Sequence, residues 1–171
     1  MKFLLCISFF ILPLNLISQD TLKTKFYSIE IPESLTYERL KSDKEDLSNT
    51  DVFKIVDSKK QDIKYLIYLM SNKLNSNAET LSENNLNEYL KDLGKVEILN
   101  HEKIFFKNSE IFKLKLSLGK EIIGVVYLTN VNNVLYRMLF MVPDKFYTDI
   151  KNEIDLLLST TLFLKDNWDD V

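Results

Sequence analysis

Few residues in this chain have the type and spacing to do chemistry. His101 is the only histidine and lies in Leu99-Asn100-His101-Glu102-Lys103. A single imidazole makes no zinc site without ligands at matching spacing, and no serine triad without an acid to orient it. Set among polar neighbours between two short apolar runs, it is expected in a surface turn. Glu45, Asp46 and Asp51 are close in sequence, but a glycosidase holds its two carboxylates rigidly across a cleft, and these sit in a polar stretch interspersed with lysine. Asp166, Asp169 and Asp170 lack the glycine turn and spaced oxygens of a calcium loop and read as a solvated end. Tyr65 and Tyr68 fall on opposite faces of one strand, so they form no common stacking platform. Arg137 is different, because a guanidinium inside an apolar strand has to reach solvent, pair with a carboxylate or hold an anionic ligand. No catalytic, cofactor-binding or metal-binding residue is assigned and no cofactor is expected. Arg137 is the one candidate ligand contact.

The elements that must position these side chains follow from hydrophobic period. Lys25 to Ile31 sets Tyr27, Ile29 and Ile31 against Phe26, Ser28 and Glu30, and Pro32 stops it: a half-buried strand. Leu35 to Leu40, Val52 to Val56 and Ile63 to Met70 predict further strands, with the polar stretch Lys41 to Asp51 as a surface loop. A helix is predicted over Ser82 to Leu93, capped by Ser82, stapled by Leu81 and Leu86, and stopped at Gly94, with Leu86, Tyr89, Leu90 and Leu93 on one face. Strand period then resumes in Val96 to Leu99, Ile104 to Phe106, Ile111 to Leu118, Glu121 to Thr129 and Val134 to Val142. Gly119-Lys120 suits a two-residue hairpin turn, which would set Leu116 opposite Ile123, Leu114 opposite Val125, Lys113 beside Val126 and Lys115 beside Gly124. Leu135 to Val142 is apolar on both faces except for Arg137 and is therefore expected at the sheet centre. Asp144 is placed to cap a second helix that turns Phe146, Ile150, Ile154, Leu157 and Leu158 inward. Leu162 to Leu164 adds a short last strand, and a polar tail runs from Lys165.

Met1 to Ser18 reads as an export signal: Lys2, an apolar run from Phe3 to Leu12, then Pro13 and a small residue at the expected cut between Ser18 and Gln19. Asn15, Gln19 and Asp20 end the run short of the roughly 20 residues of a membrane span, so no stable span is expected after cleavage. Cys6, the only cysteine, precedes the end of the apolar run, where a lipoprotein signal would place it later. Residues 19–171 are then one domain without a thiol, held by its core, in a periplasmic or secreted setting. Without Lys2 there are 21 basic against 25 acidic residues, a formal charge of −4, which offers nucleic acid no electrostatic footing.

The order of "FYSIEIP", several strands, "LSENNLNEYLKDLG", the run "IFKLKLSLGKEIIGVVYLTNVNNVLYRMLF" and "VPDKFYTDIKNEIDLLLSTTLFL" resembles the PsbP-like superfamily, the Mog, PsbP and DcrB type of α/β domain. The resemblance spans nearly all of residues 19–171. It departs from that pattern in Leu35 to Leu40, which lacks the tryptophan often found shortly after the proline. What it implies is an α+β fold, an antiparallel β-sheet flanked by two main α-helices, and no catalytic residues to carry over, because the group consists mostly of binding and assembly-assisting proteins. The expected function is thus a non-enzymatic exported domain that meets an envelope or secreted protein. The rivals are a carrier with an apolar pocket between sheet and helix, where Arg137 grips an acidic head group, and a hydrolase whose two carboxyls meet on folding.

Overall fold

Alternating apolar residues build most of this molecule as β-structure. The computed structural model describes residues 20–40, 49–73, 96–106, 109–131 and 134–164. Their elements are β1 (Asp20–Lys23), β2 (Tyr27–Ile31), β3 (Leu35–Leu40), β4 (Thr50–Asp57), β5 (Ile63–Lys73), β6 (Glu97–Phe106), β7 (Ser109–Ser117), β8 (Ile122–Val131), β9 (Val134–Pro143), α1 (Asp144–Thr160) and β10 (Leu162–Phe163). The seven-stranded sheet has the order β3-β4-β5-β9-β8-β7-β6, with every neighbour antiparallel. It consists of two meanders that join where β5 pairs with β9. A three-stranded sheet, β1-β2-β10, brings together the two ends of the described chain.

One face of the large sheet packs against α1 and the small sheet. Ile55, Tyr65, Ile67, Leu69, Tyr136, Met138 and Phe140 meet Tyr27, Ile29 and Ile31 there, together with Ile150, Ile154, Leu157 and Leu158 of α1. Each such aliphatic side chain, once buried, contributes about 1.5–3 kcal/mol. The second face is also apolar and buried, with Phe112, Leu114, Leu116, Val126, Leu128, Leu135 and Leu139 in one cluster. Burial on both faces is why β8 and β9 read as nearly continuous apolar runs, and the expectation that the Val134 strand is central holds.

Three expectations need correction and a fourth falls outside the described residues. Among the described residues there is one helix where two are expected; the predicted helix over Ser82 to Leu93 lies outside them. Val96 to Leu99 and Ile104 to Phe106 belong to a single strand, β6, and His101 stands within it opposite Leu114 rather than in a turn. The β7–β8 hairpin is one residue longer than expected. Leu118 N–H donates to Ile122 O at 2.9 Å and Gly119 takes φ +100°, so Glu121 joins the turn and Leu116 faces Gly124, Leu114 faces Val126, Lys115 faces Val125 and Lys113 faces Tyr127. Gly124 suits this register because a Cβ there would meet Leu118 Cδ1 at 2.9 Å and Leu139 Cδ1 at 3.3 Å. Finally, Pro143 rather than Asp144 occupies the N-cap of α1, without a side-chain cap bond. Phe146 is exposed while Tyr147 packs against the core, since both positions fit the helical period and only one can point at the sheet.

Candidate functional site

Two ion pairs flank the apolar ridge of α1. Lys64 Nζ of β5 meets Glu153 Oε2 at 2.7 Å, and Lys113 Nζ of β7 meets Asp155 Oδ1 at 2.7 Å. Tyr127 donates its hydroxyl to the same Asp155 oxygen at 2.8 Å. Lys113 also approaches Glu102 at 3.7 Å, and the Lys115 ammonium lies 4.1 Å from the centre of the Tyr147 ring. Burial works to raise the Asp155 carboxyl, but the bonds from Lys113 and Tyr127 outweigh it and hold the group below the ordinary carboxylate range. Burial foremost, and then the bond to Asp155, push the Tyr127 phenol far up; burial and the neighbouring Glu153 carboxylate do the same to Tyr65. A carboxyl held down in this way is a fixed acceptor, whereas acid catalysis calls for one held up. The arrangement clamps α1 to the sheet.

Arg137 projects from β9 on the second face, away from α1, between Leu135 and Leu139. Its Nη2 donates to Asn72 Oδ1 at 2.6 Å, while Nε is buried with no partner among the described residues. A pocket under α1 therefore does not contain it. The Arg137 backbone has a second role. Tyr27 reaches across from β2, accepts the Arg137 N–H at 3.0 Å and donates to Met70 O at 2.6 Å, so one hydroxyl bridges two adjacent strands of the large sheet.

The remaining sequence candidates disperse. His101 is exposed on β6. Asp51 pairs with Arg39 at the β3–β4 end. Tyr65 is buried on the α1 face and Tyr68 packs on the other, as expected of opposite faces. Glu45, Asp46, the acidic tail and the Ser18–Gln19 cut lie outside the described residues. Among the described residues, no group of three or more His, Cys, Asp or Glu side chains could hold a metal ion.

What sequence reasoning missed is the edge formed by β6. Eight of its ten residues are exposed. Ile98, Leu99 and Phe105 are large apolar side chains in water, with Phe105 82% exposed. Because this strand has water on both faces for most of its length, it shows no hydrophobic period, and its polar middle resembles a turn. The available signal was the lack of any glycine or proline from Val96 to Phe106.

A seven-stranded antiparallel sheet carrying a helix and a small three-stranded sheet on one face is the PsbP-like α+β fold. No family model matches the sequence, and no curated protein matches it. Solved structures do. The PsbP protein CyanoP of Synechocystis sp. PCC 6803 gives a TM-score of 0.60 at 12% identity, over 89% of this chain and 96% of that one. The Ran-binding protein Mog1p of Saccharomyces cerevisiae gives 0.51 at 10% identity, over 85% and 96%. A Bacteroides thetaiotaomicron protein gives 0.52 at 12% identity, over 82% of this chain and 46% of that one. What these proteins share with the chain is its fold.

Proposed function

We propose that this protein is an exported, non-enzymatic domain that binds a protein partner, or assists an envelope assembly, through an edge of its large sheet. The observation that carries this reading is β6, a ten-residue edge strand that presents large apolar side chains to solvent; monomeric proteins normally protect such edges. The leader-like start supports a periplasmic or secreted place of work. Among the described residues no helix is long and apolar enough to cross a membrane. Mog1p, of like fold, is a Ran-binding protein, which supports protein binding as a use of this fold and says nothing of Ran here.

The test has two parts. Mass spectrometry of the exported chain should find Gln19 as its first residue. A photo-crosslinking residue in place of Phe105, in cells expressing the full chain, should trap a defined envelope or secreted partner that the same probe in place of Thr36 on β3 does not. Retention of the whole leader in a cytoplasmic chain, or no adduct at either position, would refute the reading.

A second reading, a carrier of a small acidic ligand, draws on the buried, unpartnered Nε of Arg137. It places the ligand on the second face. Arg137→Gln should then abolish release of an acidic molecule from the denatured, purified protein, and a chain purified with nothing bound counts against it.

A further inference from the structure

We infer that β6 takes up an extended segment of a foreign polypeptide as an eighth strand of the large sheet, and that one face of this segment carries two acidic residues between apolar ones. The inference rests on the partner-binding reading and adds to it a mode of contact and a chemistry.

On an edge strand every second residue turns its N–H and C=O away from the sheet, and an incoming strand satisfies them by continuing the ladder. The large sheet has two such edges, and they differ. β3 has six residues, and its Glu38 and Arg39 are paired inward with Lys54 and Asp51 of β4. β6 has ten, exposed almost throughout. Its register with β7 sorts its side chains by face. Ile98, His101, Lys103 and Phe105 lie opposite Leu116, Leu114, Phe112 and Glu110, on the second face. A bulge between Ile98 and Asn100 removes Leu99 from the ladder. The outermost row on this face is therefore basic in the middle and apolar at both ends, with Ile98 41% and Phe105 82% exposed.

Lys103 lies 4.8 Å from the centre of the Phe112 ring and meets Glu110 at 2.9 Å, with about half its side chain in solvent at 49%. An ammonium has three donors, so it can accept a second carboxylate from the open side. Directly opposed residues of antiparallel strands interact strongly enough to select partners. A strand laid beside β6 thus gains most with acids opposite His101 and Lys103 and apolar residues opposite Ile98 and Phe105.

Another copy of the chain fits poorly where the two strands pair through the charged middle of β6. Antiparallel self-pairing about a twofold axis sets one residue against itself: centred on Glu102 it opposes two carboxylates, and centred on Lys103 two ammonium groups.

The probe is a synthetic peptide of about ten residues, the length of a long strand, that alternates threonine with valine, glutamate, glutamate and valine. Residues 19–171 are followed by amide hydrogen exchange with and without it. The expected result is slowed exchange at alternate β6 amides and none at β3. A peptide with lysine for glutamate should bind at least tenfold more weakly, and Lys103→Glu should reverse that preference. Reversal is a readout that simple loss of fold would not produce. Unchanged β6 exchange, protection indifferent to peptide charge, or β6 protection that grows with protein concentration alone would each overturn the inference. A partner that crosslinks at Phe105 while β6 amides keep their exchange rates defeats strand addition and leaves the partner reading intact. Charge-selective β6 protection by the peptide, with no partner trapped in cells, does the reverse.

Discussion

Single side chains do much of the fastening in this molecule, and Tyr27 is the most consequential. Its hydroxyl is buried between β5 and β9, where it accepts from Arg137 N–H and donates to Met70 O, and burial pushes its phenol well above the usual range. Tyr27→Phe leaves both backbone groups without this partner and should destabilise by about 1–3 kcal/mol, read from urea unfolding. Tyr37→Phe, which loses only an exposed bond to Thr21 O, should cost within about 0.5 kcal/mol. Asp155 supplies part of the pH dependence, beside Asp57, whose carboxyl is held down by the N–H groups of Lys60 and Lys59. Its carboxyl is lower in the folded chain than in the unfolded one, where 3.8 is its ordinary value. Its contribution is therefore complete above the ordinary carboxylate range and is lost as pH falls through that range to the folded value. Urea midpoints of the parent chain should drop over that acid window, and Asp155→Asn should flatten the drop. If the variant keeps the parent's acid slope, Asp155 has been given the wrong role.

At the scale of elements, α1 is held by four buried aliphatic residues between two ion pairs. Leu157→Ala should cost about 2–5 kcal/mol, whereas Leu156→Ala, on the exposed side of the same helix, should stay within about 0.5 kcal/mol; thermal melts of the two variants make the comparison. The core face of α1 was legible because Ile150, Ile154, Leu157 and Leu158 keep a helical period. Its first turn was not, since Phe146 and Tyr147 compete for one direction. β2, β5, β7 and β9 were legible for the same kind of reason, each having at least one apolar face. The β7–β8 register was not, because turn length depends on one residue, and admitting Glu121 to the turn re-sorts every pair above it. The short β1 escaped notice because Asp20 to Lys23 has one buried residue, Leu22, too few for a period. β6 was hidden by its exposure: the property that makes it a candidate for binding also erases the pattern that betrays a strand.

Among the described residues of the large sheet, burial is greatest in β8 and β9, which are covered on both faces, and least at the β6 edge. Native-state hydrogen exchange should therefore rank β9 amides slowest and the outward amides of β6 fastest among the large-sheet strands; equal protection in both would contradict this gradient. The PsbP-like fold was legible in the order of elements, but not the location of the exposed edge, which depends on pairings between residues distant in sequence. The small sheet has a consequence for how the chain is made. β2 pairs with β10, so an early strand waits for one synthesised well over a hundred residues later. On a ribosome that emits the N-terminus first, Tyr27 to Ile31 emerge long before Leu162 and Phe163. Closure of the small sheet must therefore wait until both strands have left the ribosome, leaving an interval in which the nascent polypeptide holds β2 without its β10 neighbour.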